Sequence, residues 1–100
     1  MRLTDNQIQI IKEATADIFG PDACVWLFGS RTDDTRRGGD IDLYVETPTS
    51  DQREIQARRN RLWIRLQRQL GEQRIDITAH SAGQPYNAFQ REARHTGIQL

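Results

Sequence analysis

A chain of 100 residues holds one modest hydrophobic core and not two, so one domain spanning 1–100 is expected. Its 14 basic and 14 acidic residues cancel to a formal charge of zero, which argues against gripping a nucleic-acid backbone through bulk charge; no direct nucleic-acid contact is expected. All the basic residues except Lys12 are arginine, a bias toward planar, bidentate contacts with carboxylates or phosphates.

Cys24 is the single cysteine, which rules out an intramolecular disulfide, and its place in an apolar run reads as a buried thiol in an intracellular protein. The opening segment is polar and helix-like, and no apolar stretch approaches the roughly 18 residues of a membrane span. A soluble, cytoplasmic protein with no membrane partner is expected.

The first helix is read over Leu3 to Phe19. Thr4 is its N-cap, Gln7 completes a capping box, and Leu3 is placed to staple against Ile8. Ile8, Ile11, Thr15 and Ile18 form one stripe, and Gly20-Pro21 ends the helix. Residues 23–28 (ACVWLF) read as a buried strand that delivers Gly29 and Ser30 to its carboxyl end. A glycine there lets the backbone come close to a ligand, and the serine offers a hydroxyl and an amide to a phosphate. The same two residues are also ordinary turn formers.

From Arg31 to Gly39 the chain is polar and reads as a loop, with or without one helical turn. Residues 40–46 then form a second strand. Ile41, Leu43 and Val45 point to the core, so Asp40 and Asp42 share the opposite face. Two neighbouring carboxylates repel each other and are costly to desolvate, an arrangement that calls for a cation. Oxygen-only ligands suit Mg2+ or Mn2+.

A break at Pro48 precedes a long helix capped by Ser50 or Asp51 and running to Leu70. Ile55, Leu62, Trp63, Leu66 and Leu70 make its core stripe. Arg58, Arg61, Arg65 and Arg68 lie on a flank, either as a solvated face or as a surface for an acidic partner, and Ile64 projects outward among them. Gly71 closes the helix. Gln73 to Ala79 alternates like a strand and carries Asp76 between Ile75 and Ile77. Strand, helix, strand is a right-handed crossover, so this strand should lie parallel to the second and bring Asp76 beside the first two aspartates. A turn follows His80, Pro85 begins a short helix with Tyr86, Phe89 and Ala93 as its apolar side, and Ile98 to Leu100 read as an edge strand. His80 and His95 are read as surface or capping residues.

Phe28-Gly29-Ser30-Arg31, nine residues after Ser30, Gly39-Asp40-Ile41-Asp42-Leu43, and a later strand bearing Asp76 together resemble the minimal nucleotidyltransferases of the DNA polymerase beta superfamily. The resemblance covers most of the chain. It implies an α/β (α+β) nucleotidyltransferase fold, a small mixed β-sheet flanked by helices. It also implies transfer of a nucleoside monophosphate from a triphosphate, ATP by preference, to a hydroxyl. Gly29 and Ser30 would hold the triphosphate, Arg31 would contact a phosphate, and Asp40, Asp42 and Asp76 would be the catalytic carboxylates that bind Mg2+ or Mn2+. Asp76 would take the nucleophile's proton or ligate the nearest metal only. Short members of this family act as antitoxins of HEPN-domain ribonuclease toxins, so a hetero-oligomer with such a toxin, and transfer of AMP to a hydroxyl on it, is the leading expectation. Neutralisation by binding alone and transfer to a small hydroxylated molecule such as an aminoglycoside are the alternatives.

Overall fold

A computed structural model describes residues 3–29, 40–71 and 73–100. Along them run α1 (Asp5–Phe19), β1 (Cys24–Phe28), β2 (Ile41–Thr47), α2 (Gln52–Leu70), β3 (Ile75–Ser81), α3 (Ala88–Thr96) and the short β4 (Ile98–Gln99). The strands form one sheet in the order β3-β2-β1-β4, with β2 and β3 parallel and the other pairings antiparallel. This is the expected small mixed sheet flanked by helices.

Side-chain alternation divides the sheet into two faces with different coverings. Val25 and Leu27 of β1, Ile41, Leu43 and Val45 of β2, and Ile75 and Ile77 of β3 point to one face, where α1 and α2 bury them with Ile11, Ala14, Ile55, Leu62 and Leu66. Trp26 and Tyr44 point to the other face, where they cluster with Ala93 of α3. Phe28 packs at the border of that cluster. The residues flanking Tyr44 at spacing two, Asp42 and Glu46, therefore belong to the face that only α3 covers.

Each helix starts on a satisfied cap. The Thr4 hydroxyl accepts the Gln7 N–H at 3.1 Å while the Gln7 side chain accepts the Thr4 N–H at 2.9 Å. Asp51, one of the two residues expected to cap α2, accepts the Arg53 and Glu54 amides. α3 starts after Asn87 and not at Pro85, because Asn87 and Gln90 form a second capping box that defines its first turn.

Three further expectations are corrected. Trp63 is not a core residue: it is 42% exposed and lies across the rim of the sheet. His80 is not on the surface, because β3 extends two residues further than its alternation suggests. The ring of His80 is buried, packs on Tyr44 and Tyr86, and meets the Gln84 carbonyl at 3.1 Å. Cys24 is half-buried as a free thiol at the start of β1, not enclosed.

Since β3 is an edge strand, its outward carbonyls need partners, and α2 supplies them. Arg59 Nε donates to the Ile77 carbonyl at 2.6 Å, Trp63 Nε1 to the Ile75 carbonyl at 3.0 Å, and Gln67 Nε2 to the Gln73 carbonyl at 2.6 Å. Side chains four apart on a helix are spaced by about 6 Å, close to the roughly 6.6 Å between alternate residues of a strand, so one row of α2 caps one row of β3. The capped edge is closed to pairing with another strand. On the far face, Glu46 fastens α3 and the segment before it. Its Oε1 accepts the Tyr86 hydroxyl at 2.7 Å, and its Oε2 meets Arg94 Nε at 2.8 Å. The Arg94 guanidinium sits 5.3 Å from the Trp26 ring and 5.1 Å from the Tyr86 ring.

Candidate functional site

The parallel register sets Asp76 directly beside Asp42 across the β2–β3 pair, and Phe28 directly opposite Asp42 across the β1–β2 pair. Asp40 precedes β2 on the same side of the chain's path. One carboxylate oxygen from each of Asp40, Asp42 and Asp76 lies within 4.8 Å of the others. Asp40 and Asp42 are half-buried and Asp76 is exposed. Among the described residues, the cation paired with the cluster is the exposed Arg74, whose Nε is 3.8 Å from Asp40, too loose and too wet to balance three carboxylates.

The electrostatic state of the cluster shows in Asp42. Burial first, then the charges of Asp76 and Asp40, and lastly a side-chain hydrogen bond with Asp76 push its carboxyl above the ordinary aspartate value. Repulsion of this kind is relieved by a cation held in common.

Gly29 follows Phe28 at the end of β1 with a positive φ of 79°. A Cβ at this position would collide with the Asp42 carboxylate, reaching within 3.2 Å of its Cγ. Glycine thus serves two needs at one point, the left-handed backbone and the close approach of a carboxylate. Ser30 and Arg31, expected as phosphate contacts, lie outside the described residues.

On the β3 side a cleft of about 480 Å³ borders Asp76 and is lined also by Ile75, Arg59, Asn60, Trp63 and Ile64. Arg59 and Trp63 here are the donors that hold the Ile77 and Ile75 carbonyls, so they fix the backbone on both sides of Asp76. The sequence placed Trp63 in the core because it falls at the margin of the apolar sector of α2. The signal available was the row Arg59, Trp63, Gln67, three hydrogen-bond donors at helical spacing facing an edge strand.

The oxygen-only donor set, the short mutual distances and the raised Asp42 fit a hard divalent cation such as Mg2+ or Mn2+. The sequence profile of the nucleotidyltransferase domain matches residues 8–95, from α1 almost to the end of α3. The chain belongs to the nucleotidyltransferase domain family. No curated protein matches the sequence. Members of the family are nucleotidyltransferases that typically use a divalent metal and a nucleoside triphosphate, and this nucleotidyltransferase carries a three-aspartate group that could hold such a metal. None of its described helices is long and apolar enough to cross a membrane.

Proposed function

We propose that this nucleotidyltransferase transfers AMP from ATP to a hydroxyl of a protein, and that the protein is a HEPN-type ribonuclease toxin which the modification silences. The observation that carries the reading is the convergence of Asp40, Asp42 and Asp76 on one point beside Gly29. Asp40, Asp42 and Asp76 would hold the divalent cation, and Gly29 with Ser30 would seat the triphosphate. When bound, the metal neutralises charge on the phosphates and on the entering and departing oxygens of an in-line displacement.

The remaining work falls to the protein's own groups. The acceptor oxygen attacks the α-phosphorus, the bond from that phosphorus to the oxygen bridging to the β-phosphate breaks, and pyrophosphate leaves. Asp76, the exposed member of the three, takes the acceptor's proton, since it stands at the β3 edge where it also borders the cleft. Phosphoryl transfer relies on placement and charge more than on covalent groups, and a chain of this size supplies both.

Support for a macromolecular acceptor comes from the cleft itself. It is open, and two of its walls are Trp63 and Ile64, exposed by 42% and 46%. The flank of α2 that carries Arg61, Arg65 and Arg68 beside Ile64 is basic, with Arg61 3.6 Å from Glu54 and Arg65 paired with Asp17 at 2.8 Å, a surface suited to an acidic protein. Incubation with Mg2+, labelled ATP and the product of the neighbouring gene is the test. Label on that product, lost in Asp42→Ala, is expected; an unlabelled product beside an active control enzyme contradicts the proposal. Full protection of cells by Asp42→Ala would show that binding alone neutralises the partner.

A further inference from the structure

We infer that Phe89, braced by Phe28, is the platform on which the nucleobase of the donor triphosphate stacks, and that it gives the enzyme a preference for purine over pyrimidine nucleotides. The inference rests on the proposed reading of the three aspartates as the triphosphate and metal site. It extends that reading to a part of the substrate that the aspartates do not touch.

Three large apolar side chains are exposed among the described residues: Trp63, Ile64 and Phe89. The first two line the cleft beside Asp76 and are accounted for by the acceptor. Phe89 is on the other flank. It stands in the first turn of α3, 49% exposed, and its ring meets that of Phe28 edge to face with centroids 5.3 Å apart. Phe28 is the β1 residue directly opposite Asp42, so the two side chains share a face and their Cβ atoms are separated by about 5 Å. An aromatic pair with one half-open ring therefore borders the carboxylate cluster.

Among the described residues, the order of the strands leaves few other places for a base. The acceptor side is β3, where Asp76 meets its cleft. Along β2 away from the cluster the next residue on the same face is Tyr44, fully buried beneath α3 and the Tyr86 segment. A nucleoside whose phosphates lie at Gly29 would extend on the β1 side, where Gly29 follows Phe28. On that side the exposed large aromatic side chain among the described residues is Phe89. Aromatic stacking with a base is tolerant of base identity but scales with ring area, which is why a purine gains more than a pyrimidine.

The test compares Mg-ATP, Mg-CTP and Mg-tripolyphosphate binding, by calorimetry, to the wild-type chain and to Phe89→Leu and Phe89→Tyr. Leucine keeps an apolar contact with Phe28 and removes the ring. The inference predicts that Phe89→Leu weakens ATP binding about tenfold, the order of one lost base stack. It also predicts a smaller loss for CTP, unchanged tripolyphosphate binding, and recovery in Phe89→Tyr. ATP affinity within about twofold of wild type in Phe89→Leu overturns it. So does an equal loss for ATP and tripolyphosphate, which marks Phe89 as structural packing only. Failure of the wild-type chain to bind either ATP or tripolyphosphate would instead remove the triphosphate site, and the platform with it.

Discussion

At the scale of single residues, Asp42 and Gly29 are one device. The carboxylate occupies the space a Cβ at residue 29 would need, so Gly29→Ala forces either the φ of 79° or the carboxylate to move. We expect a loss of about 1–2 kcal/mol in stability from the strained backbone, read in urea unfolding, with a larger fractional loss of nucleotidyl transfer. Asp42 itself has a folded-state pKa above its ordinary value, through burial and then the charges of Asp76 and Asp40. For a group shifted in this direction, the stability it contributes is present below the ordinary carboxylate pKa and is lost as pH rises through the raised one. The metal-free wild-type chain should thus lose melting temperature relative to Asp42→Asn as pH climbs through that window. At neutral pH the variant should be the more stable of the two without metal and should respond far less to added Mn2+. Differential scanning fluorimetry across pH, with and without Mn2+, checks both; parallel curves for the two proteins would contradict the repulsion.

At the scale of elements, α2 is the crossover helix that makes β2 and β3 parallel and also the cap on the β3 edge. Loss of the Trp63 donor in Trp63→Phe leaves the Ile75 carbonyl, next to Asp76, without its partner. We expect about 1 kcal/mol of destabilisation and a reduced kcat with little change in the KM for ATP, because the displaced group is Asp76 and not the triphosphate seat. An equal rise in the KM for ATP would count against that role. The seat of α3 gives a contrasting case. The Tyr44 hydroxyl is buried without a well-aligned hydrogen-bond partner among the described residues, and burial first, then the charge and the nearby carboxylate of Glu46, push its pKa up. Glu46 Oε2 also lacks a well-aligned hydrogen bond, but its close contact with Arg94 makes it an ion pair and not an orphan. Tyr44→Phe should therefore be neutral or stabilising by up to about 1 kcal/mol in thermal unfolding, since it removes a desolvated hydroxyl and keeps the ring. A loss beyond about 1 kcal/mol would reveal a partner for the hydroxyl.

At the scale of the whole molecule, the features legible in the sequence were those that follow from local periodicity. Alternation placed Asp40 and Asp42 on one face, and the crossover rule brought Asp76 to the neighbouring strand, where the register sets it beside Asp42. The features that were not legible depend on which strand lies at the sheet edge and on which face α3 covers. Trp63 reads as core until β3 is known to be an edge with free carbonyls. His80 reads as surface until the strand is known to continue to Ser81 beneath Tyr86. Phe89 reads as the apolar side of a helix until Phe28 is found beneath it and opposite Asp42. Pro85 reads as the start of α3 until Asn87 and Gln90 are found to close a capping box two residues further on.

The central claim is that three aspartates distant along the chain form one divalent-metal site. Electron paramagnetic resonance of Mn2+ titrated into the protein with a non-hydrolysable ATP analogue tests it most directly. The account predicts bound Mn2+ in the wild-type chain and a loss of about tenfold or more in affinity in each of Asp40→Asn, Asp42→Asn and Asp76→Asn, as expected when a coordinating carboxylate is removed. Undiminished Mn2+ binding in Asp76→Asn would contradict it.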